Sequence, residues 1–307
     1  MPNQRWVEML KKLMRRRWRD DSNHSDRSSL PLWKPSWLES HLFKIRDRIN
    51  SGRIERVVRQ HNLEDFDIYH FEGGIDPYRD GRWVKRLAAK GKHIVSFYHG
   101  TDLRERGLIE EVYRNSSLHL TSELDLLDKI PGMKYLPLPV DTEAISPAHP
   151  PSGDFIRIGH SARNRFKGTE IVIKVVEDLR RSYPVELVLM VNIPHSQVLK
   201  IKSTCHIYID QLTDRGGWGY GASSLEALAM GIPTVTLINP FVERFLGDHP
   251  FINANVNTLR DVLIKIIENP HLREESGRKG REWVVRNHSI EAVMDKLYGY
   301  YQELGWI

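Results

Sequence analysis

The sequence predicts an α/β protein of two doubly wound domains with parallel sheets, joined by a proline-rich linker and closed by a helical C-terminus. Three observations carry this. From residue 66 onward, short runs rich in β-branched and aromatic residues alternate with stretches of helical periodicity. The alternation is interrupted at DTEAISPAHPPSGD, residues 141–154, where prolines and small polar residues mark a linker, and then restarts. The glycine and charge clusters fall in the turns after strands, where parallel sheets bind ligands.

The elements follow in order. RWVEMLKKLMRRRWR, residues 5–19, holds seven Lys/Arg against one Glu, and Trp6, Leu10, Leu13 and Met14 share one helical face. It reads either as a basic amphipathic helix on an anionic membrane surface or as a helix packed on its own domain with a solvated basic face. Residues 20–36 read as a polar loop or linker and 37–60 as a charged helix. FDIYHF is a strand, 79–91 a helix ending at Gly91, and HIVSFYH (93–99) a strand followed by GTD. LIEEVYRN, LHLTS, ELDLLDKI and MKYLPLPV continue as helix, strand, short helix and strand. After the linker, FIRIGH, VELVLMV, CHIYID, TVTLI and FINA are strands, with helices at GTEIVIKVVEDLRRSY, HSQVLKIK and GASSLEALAMG. TLRDVLIKIIENP, HLREESGRKGREWVVRNH and SIEAVMDKLYGYYQELGW are helices, the last with Ser289 as N-cap. This divides the chain into a basic extension and linker (1–60), a first domain (61–146), a second (147–288) and a C-terminal helix (289–307).

Bulk properties narrow the classes. The 307 residues are 40% hydrophobic and 28% charged, globular values that allow a sizeable core. The single cysteine, Cys205, excludes a disulfide framework and a cysteine-rich zinc site and points to a reducing, cytoplasmic setting. No apolar run reaches a membrane span, and the basic start lacks the apolar core of a secretory leader. A net charge of +5 favours anionic partners. No recognisable nucleic-acid module, P-loop, dinucleotide fingerprint, nucleophile elbow or metal-ligand spacing is present. No nucleic acid, metal or resident cofactor is therefore expected. Asp65-Phe66-Asp67 precedes its strand and reads as a turn leading into it.

Three turns carry chemistry. In QLTDRGGWGYGASSLEALAMG, glycines including Gly219 and Gly221 let backbone approach a ligand, and Ser223 and Ser224 add hydroxyls at a helix start. Open amides and the helix dipole favour phosphate there. Glu226, one turn inside, would repel phosphate at close range but suits the vicinal hydroxyls of a ribose. The alternative is a tight turn with Glu226 stabilising the helix start. In IGHSARNRFKGTE, Arg163, Arg165 and Lys167 are suited to phosphate oxygens, or form a solvated basic loop. In SFYHGTDLR, His99 is a hydrogen-bonding group or proton shuttle, or a histidine satisfied by Asp102.

Taken together and in this order, DIYHF, YHGTDLR, LPLPVDTEAISP, RNRFKGTE, YGASSLEALAMGIPTV and RNHSIEAVMDKLYGYY resemble glycosyltransferase family 4, retaining enzymes of the GT-B fold with two facing Rossmann-like domains. The resemblance spans roughly residues 66–304. It implies that the 220-region helix start binds the diphosphate of a nucleoside-diphosphate sugar and that Glu226 binds its ribose. It implies that Arg165 and Lys167, with Arg163 as an alternative, neutralise the leaving group without a metal. His99 would line the cleft, and the last helix would cross back to the first domain. The acceptor would be a glycan or lipid-linked chain in cell-surface polysaccharide synthesis, placing the protein in the cytoplasm and peripherally at the membrane through residues 5–19.

Two departures stand out. The glutamate that the family carries eight residues before Glu226 is Trp218 here, leaving Asp214 of the same loop, or a different hold on the sugar, in its place. The first domain is short and lacks an opening strand with a glycine-rich loop. A non-catalytic nucleotide-sugar-binding scaffold, or an epimerase or hydrolase on the same fold, is the alternative reading.

Overall fold

Parallel strands separated by helices build two sheets, one in each of two units of the computed structural model, which describes residues 30–153, 155–162 and 167–307. Residues up to 120 with 126–134 form the first unit, and 121–125 with 135–307 the second. The expectations for residues 5–19, and for Arg163 and Arg165, lie outside the described residues.

In the first unit α1 (Trp37–Gln60) opens on a capping box: Ser36 Oγ accepts the Glu39 amide, and Glu39 accepts the Ser36 amide. The chain then alternates through β1 (Ile68–Glu72), α2 (Arg82–Ala89), β2 (His93–Tyr98), α3 (Glu110–Asn115), β3 (Leu118–Thr121) and β4 (Lys134–Tyr135). The sheet order is β1-β2-β3-β4, with β1 parallel to β2 from Ile68 opposite His93 to Glu72 opposite Phe97. After its first residue β2 is buried throughout, as an inner parallel strand must be when covered on both faces. Trp83 of α2 meets Phe71 of β1 edge to face at 5.7 Å, tying helix to sheet. The buried Asp76 carboxylate accepts the Tyr78 and Val84 amides and so fixes the start of α2.

The second unit runs β5 (Ile156–Ser161), α4 (Thr169–Leu179), β6 (Val185–Met190), α5 (His195–Lys202), β7 (Ile207–Ile209), α6 (Ala222–Ala229), β8 (Thr234–Thr236), α7 (Pro240–Leu246), β9 (Ile252–Asn253), α8 (Leu259–Glu268), α9 (Pro270–His288) and α10 (Ile290–Glu303). Its strand order is β6-β5-β7-β8-β9 with parallel pairs. Ile158, Val172, Ile207, Ile209, Val235 and Leu263 form the centre of its core. Helix α9 crosses the turn after α6 so closely that a Cβ on Gly277 would stand 2.1 Å from the Gly231 carbonyl oxygen.

Several elements differ from the sequence reading. MKYLPLPV is strand only at Lys134–Tyr135, because Pro137 and Pro139 have no amide to donate to a ladder. PFVERFL, unassigned from sequence, is α7; Asn239 Oδ1 accepts the Phe241 and Val242 amides, and Pro240 starts the helix. Asn269-Pro270, expected to stop α8, also starts α9, with Asn269 accepting the Leu272 amide. From residue 30 the expected linker docks: Leu30 and Leu32 pack against the Leu103–Leu108 cluster. The proline-rich stretch 141–154 is fastened to the second unit, where the Ala148 amide donates to Met230 O at 2.7 Å and the His149 amide to Ser203 O at 2.9 Å.

Candidate functional site

Strand β5 is laid down first in the second sheet, β6 joins one side of it and β7 the other. The crossovers leave β5 in opposite directions, so the carboxyl ends of β5 and β7 border a crevice at the topological switch point. The turn after β5 carries Lys167, and the turn after β7 runs from Asp210 into α6. The two motifs singled out in the second domain therefore meet at one place.

The α6 turn is held by its own polar groups. Gln211 Nε2 donates to Gly217 O at 2.9 Å and Gly219 O at 3.1 Å, and Thr236 Oγ1 donates to Gly219 O at 3.1 Å. Gly219 has φ +79° and lies against Val242, so a side chain fits neither the backbone nor the space. Gly221 is the N-cap residue and supplies no side-chain cap, so the first amides of α6 remain available to an outside acceptor. Tyr220 anchors the turn from behind: its hydroxyl is 3.1 Å from both Tyr135 OH and His288 Nε2. His288 Nδ1–H donates to Leu138 O at 2.8 Å, and burial pulls its pKa down to about 4, so the ring is neutral and accepts from Tyr220.

Beneath the helix start lies a connected charged network. Lys202, fully buried at the end of α5, donates to Glu226 Oε2 at 2.5 Å and to Ser223 O and Oγ at 3.0 Å each. Its ammonium also faces the Tyr208 ring at 4.6 Å. Glu226 Oε1 accepts from His195 Nε2 at 2.7 Å, and the carboxylate keeps some exposure. Burial lowers the Lys202 pKa, and Glu226 opposes that shift. Asp210, nearly inaccessible, pairs with Lys167 and accepts Ser224 Oγ at 2.5 Å. Burial alone would raise the Asp210 pKa and lower that of Lys167; their mutual attraction reverses both, leaving both charged. Ser223 Oγ lies 2.5 Å from Tyr208 OH and 3.0 Å from Ser161 Oγ. Both serine hydroxyls are thus engaged inside the protein, and backbone is what the helix start offers outward.

Asp214 sits on the same turn. Its Oδ2 accepts from Asn239 at 3.2 Å, while its Oδ1 is buried with no partner among the described residues. Trp218 leans on Phe241, ring centres 5.4 Å apart. In the first unit, Asp102 does not hold the His99 ring, the alternative reading of that histidine. It caps the His99 and Leu103 amides at 2.9 and 2.8 Å, and the His99 ring donates to Glu72 at 2.7 Å. Among the described residues no three His, Cys, Asp or Glu side chains are grouped to hold a metal ion. None of the described helices is long and apolar enough to cross a membrane.

Of the residues singled out in the sequence, the structure brings Asp214, Gly219, Gly221, Ser223, Ser224, Glu226 and Lys167 to this one place; Lys202, His195 and Asp210, which join them, were not singled out. Lys202 left one signal: it falls at i+3 and i+4 from Leu199 and Val198, the apolar side of its helix.

No family model matches the chain, and no curated protein matches it. Solved structures do. The chain is similar to sucrose-phosphate synthase from Thermosynechococcus elongatus, with TM-score 0.59 and 15% identity over 89% of this chain and 82% of that one. It is similar to a glycosyltransferase from Rickettsia africae, TM-score 0.57 and 15% identity over 83% and 80%. It is also similar to HepE of Anabaena in complex with UDP and glucose, TM-score 0.56 and 12% identity over 81% and 80%. At such identities the likeness shows the fold, which is GT-B.

Proposed function

We propose that the chain transfers a hexose from a nucleoside-diphosphate sugar to a hydroxyl acceptor with retention of configuration, in the manner of glycosyltransferase family 4. The observation that carries this reading is Glu226: a partly exposed carboxylate one turn inside an uncapped, glycine-led helix, held by a buried lysine and a histidine. The first amides of α6 bind the diphosphate, and Glu226 accepts from the ribose hydroxyls. The anomeric C–O bond to the diphosphate breaks and one to the acceptor oxygen forms. The electron pair left on the diphosphate is met by Lys167 and Arg165, with Arg163 as the alternative, cations that lower the barrier where charge grows and make a metal unnecessary. Asp214, whose Oδ1 has no partner among the described residues, takes a donor hydroxyl. The solved complex of HepE with UDP and glucose supports a uridine donor as the first to try. The acceptor is a glycan or lipid-linked chain of a cell-surface polysaccharide, reached from the cytoplasmic face, with residues 5–19 touching an anionic membrane.

One observation favours a second reading. Trp218 replaces the family's sugar-contacting glutamate, which would suit a nucleotide-sugar-binding protein without turnover. Thermal shift against UDP-, GDP-, ADP-, CDP- and dTDP-sugars, on wild type and Glu226→Gln, tests the site. A donor at a hundred times its Kd stabilises by about 2.7 kcal/mol, and the variant should lose that response. Stabilisation with no transfer to any acceptor favours the second reading. No stabilisation in either protein removes the nucleotide site. Transfer that stops in EDTA removes the metal-independent mechanism.

A further inference from the structure

Helix α1 carries an apolar stripe on the side turned away from its own unit. Leu38, Leu42, Ile45 and Ile49 follow one another at i, i+4, i+7 and i+11, so they form one line along the helix. They are 58%, 47%, 56% and 75% exposed, and Trp37 beside them is 74% exposed. The residues α1 buries, Asp47 and Val58, lie on the opposite face. Scattered exposed apolar residues need no explanation, but a continuous line of four on one helix does.

The charges around the stripe say what covers it. Each of the three acidic residues of α1 is consumed within the protein. Glu39 closes the capping box, Asp47 pairs with Arg46, and Glu55 meets Tyr78 and Arg86. Lys44, Arg48, Arg53, Arg56 and Arg59 are all exposed, and none meets a carboxylate among the described residues. The outer face of α1 is thus apolar toward its start and purely cationic toward its end. A second copy of the chain would bring five like charges against five. The chain's own residues 1–29 hold eight Lys/Arg and four Asp/Glu, so they too arrive net positive. An apolar stripe bordered by unpaired cations matches one surface in both properties: a bilayer with anionic headgroups above its acyl chains.

We propose that α1 is an interfacial helix that lays Leu38, Leu42, Ile45 and Ile49 into an anionic lipid surface while Arg48, Arg53 and Arg56 bind its headgroups. The inference does not rest on the sugar-transfer reading, and it adds a surface distinct from residues 5–19.

The full chain offers a direct test. Cys205 is buried, so an Ile49→Cys variant takes a thiol-directed, polarity-sensitive nitrobenzoxadiazole dye at one place. The probes are vesicles of phosphatidylcholine alone and of phosphatidylcholine with phosphatidylglycerol. The expected result is a blue-shifted, brighter emission on the anionic vesicles only, weakened by added salt. Sedimentation with the same vesicles should fall about tenfold for Leu42→Gln with Ile45→Gln. It should fall roughly fivefold for each of Arg48→Gln, Arg53→Gln and Arg56→Gln. Removing Lys11, Lys12, Arg15 and Arg16 in the same way should leave the dye shift in place. Sedimentation without a dye shift overturns the proposal, because another segment then does the binding. A dye shift that needs no lipid and grows with protein concentration overturns it in favour of a second copy. No response to anionic vesicles, or one only to an added protein, overturns it as well.

Discussion

Lys202 is wholly buried, with its ammonium 2.5 Å from Glu226 Oε2, 3.0 Å from two oxygens of Ser223 and over the face of Tyr208. A charge in such a place is tolerable only while its partner stays ionised beside it. Glu226→Ala removes the partner and leaves the ammonium uncompensated, which should cost about 3–5 kcal/mol. Lys202→Met with Glu226→Gln removes both charges and leaves an apolar group of similar length, so most of that loss should return. Urea unfolding of the single and double variants measures the coupling. If Glu226→Ala costs no more than a surface substitution, about 0.5 kcal/mol, the pair is not what holds the carboxylate. The same geometry bears on binding. In the proposed donor-binding role, a lysine that cannot reach solvent would hold Glu226 in place before the ligand arrives, leaving little ordering to do on binding.

At the scale of elements, α6 is supported by α9 through two glycines. Replacing a helical glycine by alanine would ordinarily gain about 1 kcal/mol from helix propensity. At Gly277 the new Cβ would meet the Gly231 carbonyl oxygen at 2.1 Å, a backbone atom that cannot swing aside. At Gly280 it would meet Leu228 Cδ2 at 2.7 Å, the end of a side chain that can. Gly277→Ala should therefore destabilise by about 3 kcal/mol or prevent folding, and Gly280→Ala should cost about 1 kcal/mol or less. Equal melting temperatures for the two variants would contradict this packing. Most elements were legible in the sequence, the longest helices most plainly: α1, α9, and α10 with its Ser289 cap. Helix α7 stayed hidden because seven residues show less than two full turns of pattern, and its Pro240 reads as a breaker unless Asn239 is seen as its cap. The site divided in the same way. Gly219, Gly221 and Glu226 are contiguous and could be read together. Lys202 and His195 come from the preceding crossover, 24 and 31 residues earlier, and reach Glu226 only because β7 carries the chain back beside β5.

For the whole molecule, the titration of buried groups in both units sets how stability follows pH. His119 of the first unit, between the rings of Tyr98 and Tyr113, and His288 of the second are both pushed by burial to about 4 from an ordinary 6.5. Burial lowers His70, His160 and His206 as well. Between pH 6.5 and 4 the unfolded chain binds protons at these rings that the folded chain refuses. Their contribution is complete above pH 6.5 and is lost as the pH falls toward 4. At about 1.4 kcal/mol per pH unit, His119 and His288 would each withdraw roughly 3 kcal/mol over the window. Asp76 acts the other way. Burial raises its pKa to about 6, outweighing the amides it accepts, so the folded chain holds a proton there that the unfolded chain releases above about 4. Acidification below pH 6 therefore restores about 3 kcal/mol at Asp76, enough to offset one histidine and not two. The melting temperature should fall from pH 7 to pH 5, gently at first and at its full slope from about pH 6 downward, where the unfolded histidines are mostly protonated and Asp76 offsets only part of their uptake. His288→Asn should make the fall shallower, because one refused proton is gone, and it should lower stability at pH 7 by loosening Tyr220 behind the α6 turn. Asp76→Asn should make the fall steeper. Melting curves of the three proteins at half-unit steps from pH 5 to 7.5 decide it: a wild-type melting temperature that is flat or rises toward pH 5 would mean these histidines admit water and a proton in the folded state.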